Sequence, residues 1–443
     1  MNLRKQIIFT HAWLRRSQFP ALYTEYFQEG MRADPARSAA GRLREILLHC
    51  RRAVPYYAEA MAGLTDSEMI DDPEACLRTL PVLTKNIIRS NFDRLSSNDL
   101  ASRKWFYNTS GGSTGVPIKL IQDKEYRERT AAVTSLYSRL AGCDLGEPVV
   151  FVWGSERDIL QNAAGIKARL FTFIANHKML NAFRMTTEKM RECLSLLSRR
   201  RPKLIIAYAQ ALYELACFAQ REGIAVAPQN AAITSAGTLY EFMREAIIKV
   251  FQCPVYNLYG SREVSGIACE RPGMEGLWVA PWFNYVEVVD DQGAPLPAGA
   301  DGELLITCLG NYAMPLLRYQ IGDRGALAAE RRLGGQVLVR LTGRTVDTFK
   351  LRDGTLVDGE YFTHLMYFRE WVRKFQVVQQ DYEKIVFRVE VDPASEPPAA
   401  ELAEIVDNTR ALMGEACQVK FEFPGEILPV SSGKYRFTVS EVA

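Results

Sequence analysis

The chain has 443 residues, with 54 Lys plus Arg against 52 Asp plus Glu, and 48% of its residues are apolar. That length exceeds what one hydrophobic core usually serves, so at least two domains are expected, and the composition excludes a disordered chain. A formal charge of +2 supplies no field to gather nucleic acid or an anionic membrane, so any anion site has to be local.

The N-terminal stretch MNLRKQIIFTHAWLRRSQFP lacks the long apolar run and the small-residue cleavage site of a signal peptide. LREILLHCRRA places its apolar residues on one helical face and runs into Val54-Pro55; LPVLTKNIIRSNF follows a polar loop at 71–75. A helical entry layer is therefore expected over residues 1–100, followed by α/β alternation over 101–280. Its strands are PVVFVW (148–153), KLIIAY (203–208) and AAITSA (231–236), with helices such as ALYELACFAQREG between them. Arg199-Arg200-Arg201 closes a helical pattern before Pro202 and reads as cations at a helix C-terminus. Short strands around turns mark a β-rich stretch over 281–343, as in NYVEVVDDQGAPLPAGADGELLIT and at Gly334-Gly335. Residues 344–443 have a pattern of their own: the pair KFQVVQQ and KIVFRVEV, a Pro/Ala/Glu loop near 393–400, a helix over 399–413 and the strand VKFEF. That predicts a small α+β domain behind a 1–343 core.

No run of 18 apolar residues is present, so no membrane-spanning helix is expected. The 9 cysteines form no CxxC pair and are odd in number, which points to reduced thiols and a cytoplasmic setting. Histidines stand only at 11, 49, 177 and 364, with no HExxH. Cys253, Cys269 and Cys308 offer three thiolates for a structural metal; the competing reading is buried apolar cysteine.

Five segments carry chemistry, in a fixed order. NTSGGSTGVPIKL (108–120) suits a loop whose backbone N–H groups and hydroxyls wrap phosphate oxygens, or else a flexible surface loop. It is not a Walker loop, since no Gly-Lys-Ser/Thr follows. NLYGSREVSG (257–266) sets an aromatic beside glycine, fit to stack on a flat base, and a carboxylate, Glu263, fit for Mg²⁺ or for plain solvent. In LLRYQIGDRG (316–325), Asp323 has the form of a ribose-binding carboxylate or of a turn cap. LTGRTVDTFKLRDG (341–354) offers Arg344 to phosphate, or serves only as a polar linker. PVSSGKYRF (429–437) carries Lys434 in a Ser/Gly loop.

The ordered set TSGGSTGVP, YGSREVSG, RYQIGD, GRTVD and SSGKYRF resembles the motif series of the adenylate-forming superfamily. Within it the chain is similar to the phenylacetate-CoA ligase family and its capsule-biosynthesis-associated (CapK-like) branch, through LREILLHCRRAVPYYAEAM, LPVLTKNIIRSNF, LNAFRMT and KFQVVQQ. The resemblance implies a large N-terminal domain of stacked α/β sheets with a β-subdomain, and a small C-terminal lid. It implies ATP and Mg²⁺, and activation of a small-molecule carboxylic acid as acyl-AMP. The acyl group then passes to a thiol, on CoA or a phosphopantetheinyl carrier protein, or to an amine or hydroxyl acceptor.

Carried over residue by residue, Ser110, Gly111, Gly112, Ser113, Thr114 and Gly115 are the phosphate loop, and Glu263 is the magnesium ligand. Tyr259 packs on adenine beside Gly260 and Ser261, and Ala236, Gly237 and Thr238 line the nucleotide. Asp323 holds the ribose, Arg344 contacts the nucleotide, and Lys434 is the catalytic lysine. Trp153, Tyr208, Ser235 and Gly266 border the acyl pocket. Two departures stand out: Val346 occupies the hinge position where the family has an acidic residue or Lys, and Gln320-Ile321 replaces Arg-Thr before Gly322-Asp323. The reading from another class is an inactive nucleotide-binding scaffold of the same fold, which Val346 favours and Lys434, Glu263 and Asp323 oppose.

Overall fold

The structure, a computed structural model, describes residues 2–32, 39–109, 118–153, 166–182, 187–344, 348–353, 355–367, 369, 371–393, 395–427 and 437–442. The described residues of the first hundred are mostly helical. The helix Ala39–Ala53 buries Leu43, Ile46, Leu47 and Cys50 at the three- and four-residue spacing of one face. A capping box of Thr65 and Glu68 starts the helix Asp66–Asp71. The stretch expected as a polar loop at 71–75 is instead a cap and first helical turn. Asp72 accepts from the Ala75 N–H at 2.9 Å, and Pro73, which gives up no hydrogen bond at that position, opens the helix Pro73–Arg78.

Next comes an antiparallel hairpin of β1 (Trp105–Thr109) and β2 (Lys119–Asp123). The central sheet follows with β3 (Val149–Trp153), β4 (His177–Asn181), β5 (Leu204–Tyr208), β6 (Ala232–Ser235) and β7 (Val255–Ser261). It continues with β8 (Ser265–Arg271), β9 (Met274–Val279), β10 (Asn284–Val289), β11 (Gly302–Cys308), β12 (Tyr319–Leu327) and β13 (Val337–Arg344). These 11 strands run in the order β10-β11-β12-β13-β9-β8-β7-β6-β5-β3-β4. From β4 to β7 every pairing is parallel, whereas β7 meets β8 antiparallel, so β7 is the seam between an α/β half and a β-rich half.

The parallel half needs crossovers, and helices Ile166–Ala175, Thr187–Arg200, Ala209–Arg221 and Glu241–Phe251 supply them. Its strands read as short apolar runs because both faces are covered. The helical layer is fastened to the antiparallel half by Arg318. That residue pairs with Glu287 at 3.2 Å, both about 5% exposed, and donates to the Arg78 and Leu80 carbonyls. A buried charge pair is tolerable only with such additional hydrogen bonds.

Beyond β13 lie β14 (Thr348–Lys350), β15 (Leu356–Asp358), the helix Glu360–Tyr367, β16 (Val372–Asp381) and β17 (Lys384–Val391). The helix Ala399–Met413, β18 (Gln418–Glu422) and β19 (Thr438–Ser440) follow, giving a second sheet in the order β18-β17-β16-β19. This C-terminal domain shares one apolar cluster with the helices Ala209–Arg221 and Glu241–Phe251. Across that contact the Tyr213 hydroxyl donates to Asn408 Oδ1 at 2.9 Å, and Arg221 pairs with Glu404 at 2.9 Å.

Candidate functional site

Parallel strands deliver their ends to one edge of the sheet, where open α/β proteins place their ligands. Here β3 ends on Trp153, β5 on Tyr208, β6 on Ser235 and β7 on Ser261, so four sequence-named positions share that edge. Immediately after β6 the chain turns at Ala236, whose φ of +55° is uncommon for a side-chain-bearing residue; Gly237 and Thr238 follow it.

The β7–β8 hairpin sets the next residues. Gly260 is opposite Gly266, and a Cβ at Gly260 would sit 2.5 Å from the Ser265 carbonyl oxygen, so only glycine lets the strands close there. Tyr259 is buried, and its hydroxyl donates to Asp323 Oδ2 at 2.7 Å. Asp323 on β12 is in turn the register partner of Arg344 on β13. Three positions expected to touch the nucleotide are thus brought together from strands separated in sequence.

Glu263 stands at the hairpin's tip, only 7% exposed. Among the described residues its carboxylate makes no hydrogen bond or ion pair, while Gln122 Nε2 donates to its main-chain oxygen at 3.3 Å. A buried carboxylate lacking a counter-charge suits a bound cation, so the residues present fit Mg²⁺. Gln122 also donates to the Arg262 carbonyl, as does Asn108 at 3.1 Å, and Asn108 Nδ2 donates to Gln122 Oε1 at 3.0 Å. These two amides stand on β1 and β2, the strands flanking the Gly-rich segment. They tie its stalks to the turn that carries Glu263. Sequence reading passed over Gln122, which lies just beyond the motif and whose role depends on a residue about 140 positions away.

The phosphate loop Ser110–Gly115, Val346 and Lys434 lie outside the described residues.

On the sheet face away from the C-terminal domain, a cavity of about 380 Å³ is covered by the helices Lys124–Leu140 and Ile166–Ala175. Its floor is Phe151, Trp153, Met179, Ile206, Ile233 and Leu258, the alternate residues of neighbouring strands. The Trp153 and Tyr208 rings lie 4.4 Å apart at its strand-end mouth, and the Ser235 hydroxyl donates to the Leu258 carbonyl at 2.7 Å. A Cβ on Gly266 would come within 3.3 Å of the Tyr137 ring, which also lines the cavity. His177 belongs to no motif that pointed here. Its position in the alternation of HKMLN, in register with VVFVW, was the available signal.

The larger cleft, about 690 Å³, lies elsewhere, between the helix Ala209–Arg221 and the C-terminal domain. Its walls carry Glu214, Arg221, Arg369, Glu401 and Glu404, so it is a charged seam rather than a pocket for an acyl chain. Cys253, Cys269 and Cys308 are buried and burial raises each thiol, that of Cys253 to about 12. Among the described residues no group of three or more His, Cys, Asp or Glu is placed to hold a metal ion, and no helix is long and apolar enough to cross a membrane.

Comparison with solved structures gives the fold. The chain superposes on a 2-hydroxyisobutyryl-CoA ligase in complex with 2-HIB-AMP in the postadenylation state. The TM-score is 0.63, at 17% identity, covering 91% of this chain and 89% of that one. The fold is that of the adenylate-forming ligases. Residues 350–441 match the CapK C-terminal domain family. Over 375 residues the chain is 24% identical to Protein CapK of Staphylococcus aureus, covering 83% of this chain and 81% of CapK. Over 228 residues it is 31% identical to the phenylacetate-coenzyme A ligase of Thermus thermophilus, covering 46% and 48%. The chain is thus similar to CapK over most of its length and to a phenylacetate-coenzyme A ligase over about half of it, and residues 350–441 carry the CapK C-terminal domain match.

Proposed function

We propose that this protein activates a carboxylic acid with ATP, releasing pyrophosphate and holding acyl-AMP for transfer to a thiol, amine or hydroxyl acceptor. One observation carries the reading. A single hairpin at the strand-end edge of the sheet presents Tyr259, bonded to Asp323, and the buried carboxylate of Glu263, which has no hydrogen-bond or ion-pair partner among the described residues. The likeness to CoA ligases supports it.

In this reading an acid carboxylate attacks the α-phosphate, and two anions have to be brought together. Asp323 accepts from the ribose hydroxyls, Tyr259 fixes that carboxylate and packs on the base, and the turn at 236–238 lines the nucleotide. Ser110–Gly115 hold the leaving pyrophosphate through backbone N–H groups. Glu263 holds Mg²⁺, which supplies positive charge to the phosphate oxygens. Arg344 contacts phosphate, and residues 344–443 act as a lid that brings Lys434 to the reacting carboxylate and α-phosphate. The cavity beside Trp153 and Tyr208 takes the acyl group and keeps water from the mixed anhydride.

Lys434→Ala tests the central step. Single-turnover formation of acyl-AMP is expected to fall at least ~100-fold while ATP affinity stays within about threefold, because the lysine acts in the transition state. Unchanged turnover would remove it from the reaction. Chasing the trapped adenylate with CoA, a phosphopantetheinyl carrier or an amine identifies the acceptor by which one discharges it.

A further inference from the structure

The acyl cavity is deeper than its mouth requires. Trp153 and Asn181 are register partners at the strand ends, and four residues back along the same two strands Val149 is opposite His177. At the usual strand rise this puts His177 about 13 Å from the level where the acid's carboxyl meets the nucleotide edge. The sheet floor between is apolar, Phe151, Met179, Ile206 and Ile233, while the covering helices contribute Phe171 together with Thr134, Tyr137, Ser138 and Thr172. At about 380 Å³ the cavity falls in the size range of sites for drug-sized ligands and exceeds what a one-ring acid fills.

Among the described residues of the sheet floor, His177 is the polar side chain at the far end. Its ring meets Phe151 edge-on at 5.0 Å, and among the described residues it has no hydrogen-bond partner. Burial lowers its pKa to about 4, so at neutral pH the imidazole is uncharged and offers one donor and one acceptor. A charged tail would meet no counter-charge among the described lining residues, at a large desolvation cost. An unsubstituted hydrocarbon tail would leave the ring nitrogens unmatched.

We propose that the cavity selects an acid with an apolar body spanning about 13 Å and a neutral hydroxyl or carbonyl group at its far end, which His177 recognises. This rests on the reading of the chain as an adenylating ligase, with the cavity as its acyl site.

The test pairs matched acids, decanoate with ω-hydroxydecanoate, with phenylacetate for comparison. Each is titrated calorimetrically without ATP, and each is assayed for ATP–pyrophosphate exchange. The ω-hydroxy acid is expected to bind roughly tenfold more tightly than decanoate and to show the same ratio in kcat/KM. His177→Phe should erase that preference while keeping decanoate binding, and His177→Gln, which retains a donor and an acceptor, should restore most of it. Equal binding of the pair by the unmodified protein overturns the proposal whatever the variants do. So does a preference that survives in His177→Phe, or tightest binding by phenylacetate. Selective binding without exchange would defeat the adenylation reading alone; exchange without the selectivity would overturn this proposal and leave the adenylation reading standing.

Discussion

The Tyr259 hydroxyl and Asp323 Oδ2 are 2.7 Å apart, and both residues are mostly buried. A hydrogen bond to a buried carboxylate contributes about 1.5–3 kcal/mol, so Tyr259→Phe should lower the unfolding free energy by an amount near that range. Asp323→Ala is expected to weaken ATP binding by roughly 10–100-fold in a calorimetric titration, as the loss of two ribose hydrogen bonds would. Wild-type affinity in that variant would show the ribose assignment to be wrong. Such residues are legible in a sequence because each motif needs one residue type at one place. The bond between them was not legible, because it joins β7 to β12. His177 was legible only as one of four histidines; its chemistry comes from the strand register and from burial.

At the scale of elements, the hairpin β1–β2 serves as a bracket. Asn108 and Gln122 hold the carbonyls of Arg262 and Glu263, which couples the stalks of the Gly-rich segment to the turn bearing the Mg²⁺ candidate. Gln122→Ala removes donors from two carbonyls; the expected result is a KM for MgATP raised about five- to tenfold, with stability lowered by about 1–2 kcal/mol. A KM unchanged alongside lower stability would reduce Gln122 to a packing role. The strands β3, β5 and β6 were readable as apolar runs between helices, since covered strands show little else. By contrast β8 and β9, SGIACER and MEGLWV, carry glycine and charge within them and are held by long-range pairing that local propensity does not report. The start of the helix Pro73–Arg78 was missed for a local reason. Asp-Asp-Pro-Glu looks like a polar turn until the Pro is placed at the first helical position.

At the scale of the whole molecule, the contact between the large sheet's helices and the C-terminal domain contains an acid-base cluster. Glu214 accepts from Gln210 at 2.6 Å and faces Glu404, which pairs with Arg221 and Arg369. Burial is the main reason the Glu214 carboxyl is raised, to about 7 from an ordinary 4.5, with Arg369 opposing the shift and Glu404 adding to it. The folded protein therefore keeps a proton that the unfolded chain has lost. That stabilisation is full below pH 4.5 and disappears as the pH rises through about 7. Tm should fall by several degrees over that window, and Glu214→Gln should flatten the fall; an equally steep profile in the variant would place the titration elsewhere. That the chain builds a mixed α/β core with a C-terminal domain was visible in composition and turn spacing. The continuity of 11 strands through β7 was not, because a strand's two neighbours are chosen by the whole fold. The central claim, that this fold adenylates an acid, is tested most directly by ATP–pyrophosphate exchange with Mg²⁺ across aryl, fatty, hydroxy and amino acids, without any acceptor. Exchange that depends on an apolar acid and vanishes in Lys434→Ala is the predicted result. Absence of exchange with every acid, in folded protein that still binds ATP, would contradict it.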